Sequence, residues 1–469
     1  MSNLAAIVLA AGEGTRMKSA TPKVLHKIAG LELLGHVLST ATSLDANKVV
    51  CVLRHEKEQL SNYVKAFYPG VEIAEQDELP GTGRAVEAAL GLLADFSGDV
   101  VVLSGDVPLL DVQSVSQLVE IHKESGNAGT LVSTVLEDPT GYGRIVRERG
   151  ELVGIIEQKD ASDAERLITE VNAGVYVFSA PKLRKALESV TTQNAQGEKY
   201  LTDVIGLMIS AGESVSAHQV ADNWLVAGIN DRVQLSEVAA ELNRRIVHAW
   251  QLAGVTIQEP QSTWIDVTVS LARDVTLLPS VRLQGFTQVG EGSIVGPDST
   301  LTDALVGANV KVSRSDVTAS KIHDGANVGP FAYLRPGTEL GSDGKIGAFV
   351  ETKNAQIGPG AKVPHLSYVG DASIGEGSNI GAGTIFANYD GVNKHRTEVG
   401  SFVRTGSGNV FVAPVKIGSG AYTAAGSTIR RDVAPGALAL NPTPQKNLAD
   451  WVLENRPGTK SAQAATDTE

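Results

Sequence analysis

The sequence predicts two domains of different construction, an α/β domain with a mostly parallel sheet and a parallel β-helix of hexapeptide repeats, joined by one helix. Three observations support this prediction. Apolar strands alternate with helical stretches over the first 230 residues, which is typical of α/β folds. Aliphatic residues recur every six positions in the second half, and a helical periodicity separates the two regions. We therefore expect domains over 1–230 and 255–456, a linker helix over 231–254 and a disordered tail over 457–469.

The composition is that of a soluble chain able to form full-sized cores. Of 469 residues, 42% are hydrophobic and 20% are charged. The formal net charge of −13 argues against sequence-independent nucleic-acid binding, which needs a basic surface. The lone cysteine, Cys51, excludes an intramolecular disulfide and a cysteine-based metal site. The apolar run 4–11 is too short to span a bilayer and has no basic region before it, so we expect a cytoplasmic protein without membrane insertion.

The first domain is predicted from strands at 5–10, 48–53 and 99–104 and from a helix over 83–94. The linker helix is predicted because apolar residues keep helical spacing up to Gly254. These residues are Leu235, Val238, Ala239, Leu242, Ile246 and Ala249.

The second domain is predicted from a period of six, which fits neither an amphipathic helix nor an ordinary strand. A short repeat of this kind is the signature of a β-solenoid, in which each flat face contributes one inward aliphatic residue. Of the 49 glycines, 26 lie between residues 280 and 440, where they allow tight corners. The spaced residues include Ile322, Val328, Leu334, Leu340 and Ile346, then Val269, Val275 and Val281, Ile357, Val363 and Val369, and Ile417, Thr423 and Ile429.

A glycine loop follows the first strand. Gly12 and Gly14 form G-x-G-x-x-M, in which Met17 replaces the third glycine of the dinucleotide fingerprint, so a dehydrogenase is disfavoured. Backbone N–H groups of such a loop can cradle phosphates, and Arg16 and Lys23 supply cations. The alternative is an ordinary strand-to-helix turn with two surface cations.

A second cue is Asp106, which lies just beyond another predicted strand, after Ser104 and Gly105 in VVLSGDVPLL. A carboxylate there is well placed to hold Mg²⁺, which usually has few protein ligands. An aspartate close to a proline is also a common turn or capping residue.

The segments LAAGEGTRMKSATPKVLH and GDVPLL together resemble the sugar nucleotidyltransferases. With PGTGRAV, DPTGYGRIV, GIIEQKDA, EVNAGVYVF and the predicted β-helix, residues 3–456 resemble the bacterial family of bifunctional N-acetylglucosamine-1-phosphate uridyltransferases and glucosamine-1-phosphate acetyltransferases. The resemblance implies a Rossmann-like nucleotidyltransferase domain and a left-handed β-helix.

The resemblance also implies the residues of a uridyl-transfer site. Arg16 and Lys23 would be catalytic and would bind the nucleotide phosphates, and Asp106 and Asn230 would bind Mg²⁺. The other implied substrate-binding residues are Leu9, Ala10, Ala11, Gly12, Gly14 and Thr15 near the phosphates, Gln76, Gly81 and Thr82 at uracil, Ser104 and Gly105 at the centre, and Gly143, Glu157 and Asn172 around the amino sugar.

Chemically reactive residues interrupt the hexapeptide repeat. Arg335 and Lys353 are 18 residues apart, which is about one coil, so the two cations are expected to stack into an anion site. A solvated basic ladder is the alternative. His365 follows Val363, and a histidine titrates in the range that suits a general base, although a lone histidine is often structural.

By resemblance, Arg335 and Lys353 bind the phosphate of glucosamine-1-phosphate, Tyr368 and Asn379 seat the sugar, and His365 is the general base. The resemblance also implies a homotrimer in which an acetyl-CoA groove lies between neighbouring subunits. The residues implied to line this groove are Ala382, Asn388, Tyr389, Ser407 and Ala425.

Three details of the second site are open at this stage. Glu351 is one candidate to orient His365. Gly408–Asn409 and Pro442 depart from the family pattern, which leaves open how the coenzyme phosphates are held.

The predicted function is synthesis of UDP-N-acetylglucosamine. Glucosamine-1-phosphate is acetylated by acetyl-CoA, and the resulting N-acetylglucosamine-1-phosphate receives UMP from UTP. Two alternatives are a nucleotidyltransferase whose β-helix only oligomerises or regulates it, and a non-catalytic binding protein. The first leaves the set Arg335, Lys353, His365 and Tyr368 unexplained, and the second leaves Arg16, Lys23 and Asp106 unexplained.

Overall fold

The computed structural model describes residues 3–441 and 445–467. The chain divides into two compact units, one formed by Met1–Ser270 and Pro279–Thr287 and the other by Leu271–Leu278 and Gln288–Glu469. The linker helix and the first residues of the predicted second domain thus group with the first unit.

The first unit alternates strands and helices as predicted. Its strands up to the linker helix are β1 Leu4–Ala10, β2 Lys27–Ile28, β3 Leu31–Glu32, β4 Lys48–Leu53, β5 Glu72–Glu75, β6 Asp99–Ser104, β7 Gly129–Val135, β8 Arg144–Glu148, β9 Glu151–Ile156, β10 Glu170–Ser179 and β11 Val215–Gln219. Its helices are α1 Leu33–Ser43, α2 Lys57–Phe67, α3 Thr82–Leu92, α4 Val112–Ser125, α5 Asp163–Arg166, α6 Ala180–Leu187, α7 Asp203–Ser210 and α8 Arg232–Leu252. Short 3-10 turns cover Thr15–Met17, Lys23–Leu25, Asn223–Val226 and Pro260–Ser262.

The main sheet of this unit has the order β11-β7-β10-β6-β1-β4-β5, with β8 and β9 attached through β10. Strand β1 is parallel to β4 and β6, whereas β10 is antiparallel to β6 and β7. Side chains of β1 alternate between two cores, since Val8 packs in one layer and Ile7 in the other. Both are fully buried, as expected for a sheet covered on both faces. The predicted α/β class is confirmed.

Helix α8 packs on the first unit through one apolar side. Val238 is buried in a small core with Ile28 and Ile229, against which Leu235 and Leu242 pack. Asp231 caps the helix by accepting hydrogen bonds from the backbone N–H groups of 233 and 234. Asn243 fixes the following segment, because its side chain bonds to the backbone of Thr263 and Ile265. These contacts explain why the helix is part of the first unit.

After α8 the chain forms short strands almost to its end. They are β12 Thr256–Ile257, β13 Trp264–Ile265, β14 Ser270–Leu271, β15 Thr276–Leu277, β16 Val281–Gln284, β17 Gln288–Val289, β18 Ile294–Val295, β19 Ser299–Thr302, β20 Leu305–Val306, β21 Lys311–Val312, β22 Asp316–Thr318, β23 Lys321–Ile322, β24 Asn327–Val328, β25 Tyr333–Leu334, β26 Glu339–Leu340, β27 Lys345–Ala348, β28 Glu351–Ile357, β29 Lys362–His365, β30 Tyr368–Ile374, β31 Ile385–Ala387, β32 Thr397–Val399, β33 Arg404–Thr405, β34 Val410–Val412, β35 Val415–Ile417, β36 Tyr422–Thr423, β37 Thr428–Ile429 and β38 Leu438–Ala439.

These strands form a left-handed parallel β-helix, as predicted. Each strand pairs in parallel with one a coil away, as Tyr333 does with Glu351. The side chains at every sixth position point inward, and Leu334, Leu340 and Ile346 are fully buried. Most coils have no insertion, but between β31 and β32 residues 388–396 form an additional loop, which we call the 388–396 excursion.

The corners of the β-helix use left-handed backbone conformations even where the residue is not glycine. Phe331, Phe349 and Leu366 have φ values of 58°, 57° and 50° and follow one another along a corner. Phe331 and Phe349 stack with ring centroids 5.3 Å apart. Both rings are more than half exposed, so this corner carries an apolar stripe.

Two helices follow the β-helix, α9 Trp451–Asn455 and α10 Lys460–Thr466. The expectation of a disordered tail over 457–469 is therefore wrong for α10, where Thr459 caps the helix and alanines favour it; residues 468 and 469 lie outside the described residues. Among residues 3–441 and 445–467, no helix is long and apolar enough to cross a membrane.

Candidate functional site

The glycine loop after β1 is held close to Lys23. Gly14 has φ of 69°, and a Cβ atom there would lie 2.5 Å from the Cβ of Lys23. Only glycine fits both the conformation and the space. The loop then enters the turn Thr15–Met17, in which Met17 is buried, so the residue that replaces the third glycine serves as a core anchor.

Four of the predicted residues converge beyond this loop. Lys23 Nζ lies 2.5 Å from Asp106 Oδ2 and donates to Asn230 Oδ1 at 3.3 Å. Arg16 Nη2 donates to the same Asn230 oxygen at 2.9 Å. The Lys23 and Asp106 side chains are only 12% and 22% exposed, so this ion pair is weakly screened. Two cations, a carboxylate and an amide oxygen therefore meet at one point.

The sheet and the start of α8 explain this convergence. Parallel strands β1 and β6 end side by side, with Leu9 paired to Ser104, and α/β sheets bind ligands at this edge. Gly105 donates to the Leu9 carbonyl at 2.9 Å, and Ile229 donates to the Asp106 carbonyl at 3.0 Å. The second bond brings Asn230 beside Asp106.

A cavity of about 350 Å³ opens at this edge. The predicted residues that line it are Leu9, Ala10, Ala11, Gly12, Lys23, Gln76, Gly81, Thr82, Ser104 and Asp106. The predicted residues outside its lining are Gly14, Thr15, Arg16, Gly105, Gly143, Glu157, Asn172 and Asn230. Sequence reasoning missed Arg54, His55 and Glu198, which also line the cavity. The position of Arg54 and His55 directly after β4, at the same sheet edge, was the available signal for two of them.

One end of the cavity is formed by Gln76 and the loop before α3. The Gln76 amide is buried and donates to the carbonyls of Leu79 at 2.8 Å and Gly81 at 3.2 Å. Gly81 has φ of 117°, and a Cβ atom there would lie 2.3 Å from the Lys199 carbonyl oxygen. The hydroxyl of Thr82 accepts from the N–H of Leu201 at 3.0 Å. This end is therefore rigidly held.

Gly143, Glu157 and Asn172 form a second group in the first unit. A Cβ atom on Gly143 would lie 3.6 Å from both Glu157 Oε1 and the Asn172 Cβ. Asn172 donates to the Tyr176 hydroxyl at 2.7 Å, and Glu157 accepts from the Thr202 hydroxyl at 3.0 Å. Burial raises the pKa of Glu157 above its ordinary value, because desolvation disfavours the charged form.

Tyr142 links this group to Asp106. Burial raises the pKa of the Tyr142 phenol, and the charge of Asp106 adds to that effect. Tyr142, the neighbour of Gly143 in the chain, is thus within electrostatic reach of Asp106.

In the second unit, Arg335 and Lys353 lie on neighbouring coils, as the spacing predicts. The backbone N–H of Arg335 donates to the carbonyl of Thr352, the residue before Lys353, at 2.9 Å. Lys394, in the 388–396 excursion, is a third cation there that sequence reasoning missed. Lys394 is the main cause, ahead of Arg335, of a lowered pKa of Lys353. Cations that crowd in this way form an electrostatic site for an anion.

In the part of the chain that the structure describes, the Glu351 carboxylate makes no hydrogen bond to His365. That carboxylate accepts from Arg335 Nη1 at 2.8 Å, and this bond raises the pKa of the Arg335 guanidinium. Since the carboxylate is already paired with a cation, Glu351 positions Arg335.

His365 ends β29, and its side chain is exposed. Within residues 3–441 and 445–467 its imidazole has no hydrogen-bond partner, whereas its carbonyl accepts from Gly383 at 3.1 Å. Tyr368 is paired with Glu351 across the coils, and Asn379 is paired with Lys362 of β29. Tyr368 thus lies on β30, whereas Asn379 forms an isolated bridge beside β29, the strand that ends at His365.

Ala382, Ser407 and Ala425 occupy equivalent positions on successive coils. The Ala382 carbonyl accepts from Gly408 at 2.7 Å, and the Ser407 carbonyl accepts from Gly426 at 2.8 Å. Asn388 donates to Asp371 at 2.5 Å, and Tyr389 is 61% exposed. The first three residues form a continuous column, as a groove along the β-helix requires.

The departure at Gly408–Asn409 is structural. Asn409 is fully buried, and its amide donates to the Ala424 carbonyl at 2.8 Å while its oxygen accepts from Thr423. Asn409 thus supports the column from inside the coil. Pro442 lies outside the described residues.

Asp106 and Asn230 are the residues suited to a metal ion. Within the described ranges, no three histidine, cysteine, aspartate or glutamate side chains are grouped to hold one. A carboxylate and an amide oxygen are nevertheless the hard donors that Mg²⁺ prefers, and two protein ligands suffice when phosphates and water complete its shell. The donor set fits Mg²⁺.

Comparison with known proteins identifies the family. Residues 5–267 match the family described as nucleotidyl transferase. The chain is 56% identical over 467 residues to the bifunctional protein GlmU of Clavibacter sepedonicus, covering 99% of this chain and 95% of that protein. It is 58% identical over 465 residues to the bifunctional protein GlmU of Leifsonia xyli subsp. xyli, covering 99% and 96% respectively. The chain therefore belongs to the nucleotidyl transferase family and, over nearly its whole length, to the bifunctional GlmU proteins.

Proposed function

We propose that this bifunctional enzyme makes UDP-N-acetylglucosamine with two separate sites. The second unit acetylates glucosamine-1-phosphate with acetyl-CoA, and the first transfers UMP from UTP to N-acetylglucosamine-1-phosphate with release of pyrophosphate. The observation that carries the proposal is the convergence of Arg16, Lys23, Asp106 and Asn230 at the cavity edge. The relatedness to GlmU proteins over the β-helix supports the second activity.

Uridyl transfer requires two anions to meet, since a sugar-phosphate oxygen attacks the α-phosphorus of UTP. Arg16 and Lys23 offset that charge, and the N–H groups of the Gly12–Thr15 loop hold phosphate oxygens. Asp106 and Asn230 would hold Mg²⁺, which supplies further charge neutralisation when bound. No side-chain nucleophile is needed, because positioning and electrostatics carry most of the catalysis.

The two ends of the uridyl site select the substrates. Gln76, Gly81 and Thr82 bind the uracil, because their amide and hydroxyl groups are held in fixed positions beside the cavity. Gly143, Glu157 and Asn172 bind the N-acetyl sugar, where the absence of a Cβ on Gly143 leaves room beside the carboxylate.

Acetyl transfer requires a neutral amine next to a bound phosphate. Arg335, Lys353 and Lys394 bind the phosphate, and Tyr368 and Asn379 seat the sugar. The exposed His365 takes a proton from the amine as that nitrogen attacks the acetyl-CoA thioester. The thioester breaks to release free CoA. Ala382, Ser407 and Ala425 line the coenzyme groove with Asn388 and Tyr389.

We further place the active enzyme in the cytoplasm as a homotrimer. The apolar stripe of Phe331, Phe349 and Leu366 is an exposed contiguous patch of the kind that marks an interface. A partner subunit would also provide a second wall for the column of Ala382, Ser407 and Ala425.

The decisive test uses the purified chain with acetyl-CoA, glucosamine-1-phosphate, UTP and Mg²⁺. Mass spectrometry should detect UDP-N-acetylglucosamine, free CoA and pyrophosphate. UDP-N-acetylglucosamine formed only when N-acetylglucosamine-1-phosphate is supplied would refute the acetyltransferase activity. Dilution with parallel sizing tests the trimer, since monomers should lose acetyl transfer before uridyl transfer. A monomer that still acetylates would contradict the shared groove.

A further inference from the structure

Four charged side chains surround the loop that carries Gly81 and Thr82, and the mechanism above uses none of them. Arg84 Nη2 lies 2.5 Å from Asp77 Oδ2, and Arg84 Nη1 donates to Glu87 Oε2 at 2.9 Å. The ammonium of Lys199 donates to the other oxygen of Glu87. We refer to Asp77, Arg84, Glu87 and Lys199 as the Lys199 clamp.

The backbone of Lys199 grips the same loop. Its N–H donates to the Pro80 carbonyl at 3.0 Å, and its carbonyl accepts from the Gly83 N–H at 2.8 Å. The loop backbone therefore meets Lys199 on both sides of Gly81, where any Cβ atom would collide with the Lys199 carbonyl. A shift of Lys199 must move this loop.

The ion pair between Lys199 and Glu87 is more protected than an ordinary surface pair. Their side chains are 13% and 21% exposed. Fully exposed pairs contribute little, but a partly buried pair is less screened, and removal of Glu87 leaves the Lys199 ammonium poorly compensated. The Lys199 side chain is thus fixed by a contact that one substitution can break.

The clamp is specific to one end of the cavity. Glu198 and Thr82 line the cavity, and Leu201 bonds to Thr82, so the segment around Lys199 adjoins the base-binding end. The hydrogen bonds that join Arg16, Lys23, Asp106 and Asn230 do not involve this segment.

We propose that Lys199 and Glu87 are positioning residues that fix the uracil-binding loop and so set the preference for UTP over CTP. The inference rests on the proposed uridyl transfer and deepens it, since uracil and cytosine differ in the hydrogen-bonding groups that Gln76, Gly81 and Thr82 face. A loop with freedom to move discriminates less between these two edges.

The test compares Lys199→Met and Glu87→Gln in the full chain, with UTP and CTP as alternative nucleotides. We expect the KM for UTP to rise about tenfold with kcat within about twofold, the pattern of lost ground-state binding. The ratio of kcat/KM for UTP to that for CTP should fall by about fivefold or more. Partial unfolding would instead lower kcat for both nucleotides equally and leave this ratio unchanged.

Three further variants sharpen the result. Lys199→Arg keeps the charge and should retain the wild-type ratio. Lys182→Met removes a lysine that pairs with Glu213 at 2.6 Å elsewhere in the unit, and should change neither KM nor the ratio. In a double-mutant cycle the two clamp substitutions should be non-additive, because they remove one shared contact.

Unchanged UTP KM and unchanged UTP-to-CTP ratio in both Lys199→Met and Glu87→Gln would overturn the clamp. Acetyl transfer and a melting curve, measured on the same samples, report whether each variant is folded, and the near-isosteric Glu87→Gln decides the matter if Lys199→Met does not fold. A wild-type chain that transfers no UMP would overturn the proposed function itself, a result distinct from an active enzyme that is indifferent to the clamp.

Discussion

The two candidate sites are assembled in opposite ways. In the first unit, side chains as far apart as Arg16 and Asn230, 214 positions along the chain, bond directly to each other. In the second unit, Arg335 and Lys353 are one coil apart, and the β-helix register alone brings them together. The sheet of the first unit gathers distant loops at one edge, whereas the β-helix presents its residues as a linear array along its surface.

This difference determines which residues balance the charges of each site and which surfaces enclose it. The Lys23–Asp106 pair is mostly buried, so the candidate site of the first unit contains opposite charges within one chain. Arg335 and Glu351 are 34% and 42% exposed, and His365 is open to solvent. An open site such as this one would be shielded from solvent by the surface of another subunit.

The largest expected effect separates the second site from the first. His365→Ala should lower acetyl transfer by about 10²–10⁴-fold, the usual cost of losing a general base. Uridyl transfer to supplied N-acetylglucosamine-1-phosphate should not change. Both half-reactions are measured separately, together with the melting temperature. A folded variant that acetylates within about tenfold of wild type, below that general-base range, would show that another residue is the base.

The reciprocal change is Asp106→Ala. Uridyl transfer should fall by about 10²–10³-fold or more, because electrostatic stabilisation at the phosphates is lost, while acetyl transfer stays near wild type. The control is Asp111→Ala, which removes the capping carboxylate of α4 and should lower stability without this loss of activity. Full uridyl transfer by the Asp106 variant would disprove its role at the metal.

A smaller effect tests the residue that the sequence did not suggest. Lys394→Met should raise the KM for glucosamine-1-phosphate about tenfold, since one phosphate contact of the charged kind is removed. The uridyl reaction should be unaffected. Lys416→Met, which breaks a surface pair with Glu398 at 3.2 Å, is the matched control. Equal KM values for the two variants would show that Lys394 does not bind the phosphate.

The smallest effect is on stability. Burial raises the pKa of Glu157, so its ionisation destabilises the fold once the pH exceeds the ordinary carboxyl value. Glu157→Gln should therefore melt about 1–3 °C higher than wild type at pH 8, and the difference should disappear near pH 4.

The control for this pH dependence is Glu165→Gln. Hydrogen bonds from Ser162 lower the pKa of Glu165, so its ionised form favours the fold above the ordinary carboxyl value. Its replacement should have the opposite sign at pH 8. A Glu157 variant that is less stable than wild type at pH 8 would mean that its carboxylate is well solvated or paired.

Periodicity predicted most of the fold because it reflects backbone geometry directly. The alternation of apolar segments with helical stretches predicted β1, β4 and β6, and the period of six predicted inward residues such as Leu334, which is buried. The grouping of α8 with the first unit could not be predicted, because the packing of Val238 against Ile28 is a tertiary contact without local signature. The helix Lys460–Thr466 was missed because it depends on a cap at Thr459 and good helix formers in a polar segment.

Within the sites, residues next to strand ends or one coil apart could be placed from sequence, and those that depend on loop conformation could not. Asp106, just after β6, and Lys353, one coil from Arg335, follow such rules. Lys394 does not, because the 388–396 excursion turns back on itself, and Lys394 pairs there with Tyr389 of the same excursion. The sequence also could not predict that Glu351 pairs with Arg335. Its spacing places Arg335, Lys353 and His365 all near Glu351, so the sequence does not show which of them the carboxylate contacts.

The excursion over 388–396 shows how one coil of the β-helix accommodates extra residues without a change in the next coil. Ala372 pairs with Thr397, 25 residues later (397 − 372 = 25), and Thr397 then pairs with Val415, which is a full coil of 18 later (415 − 397 = 18). Extra residues that leave and return at a corner do not disturb the inward pattern of the next strand. Deletion of one residue within a strand would turn every following side chain of that strand to the opposite face. We therefore expect an engineered insertion that adds a ligand contact to be tolerated at a corner, and a face to accept substitutions only.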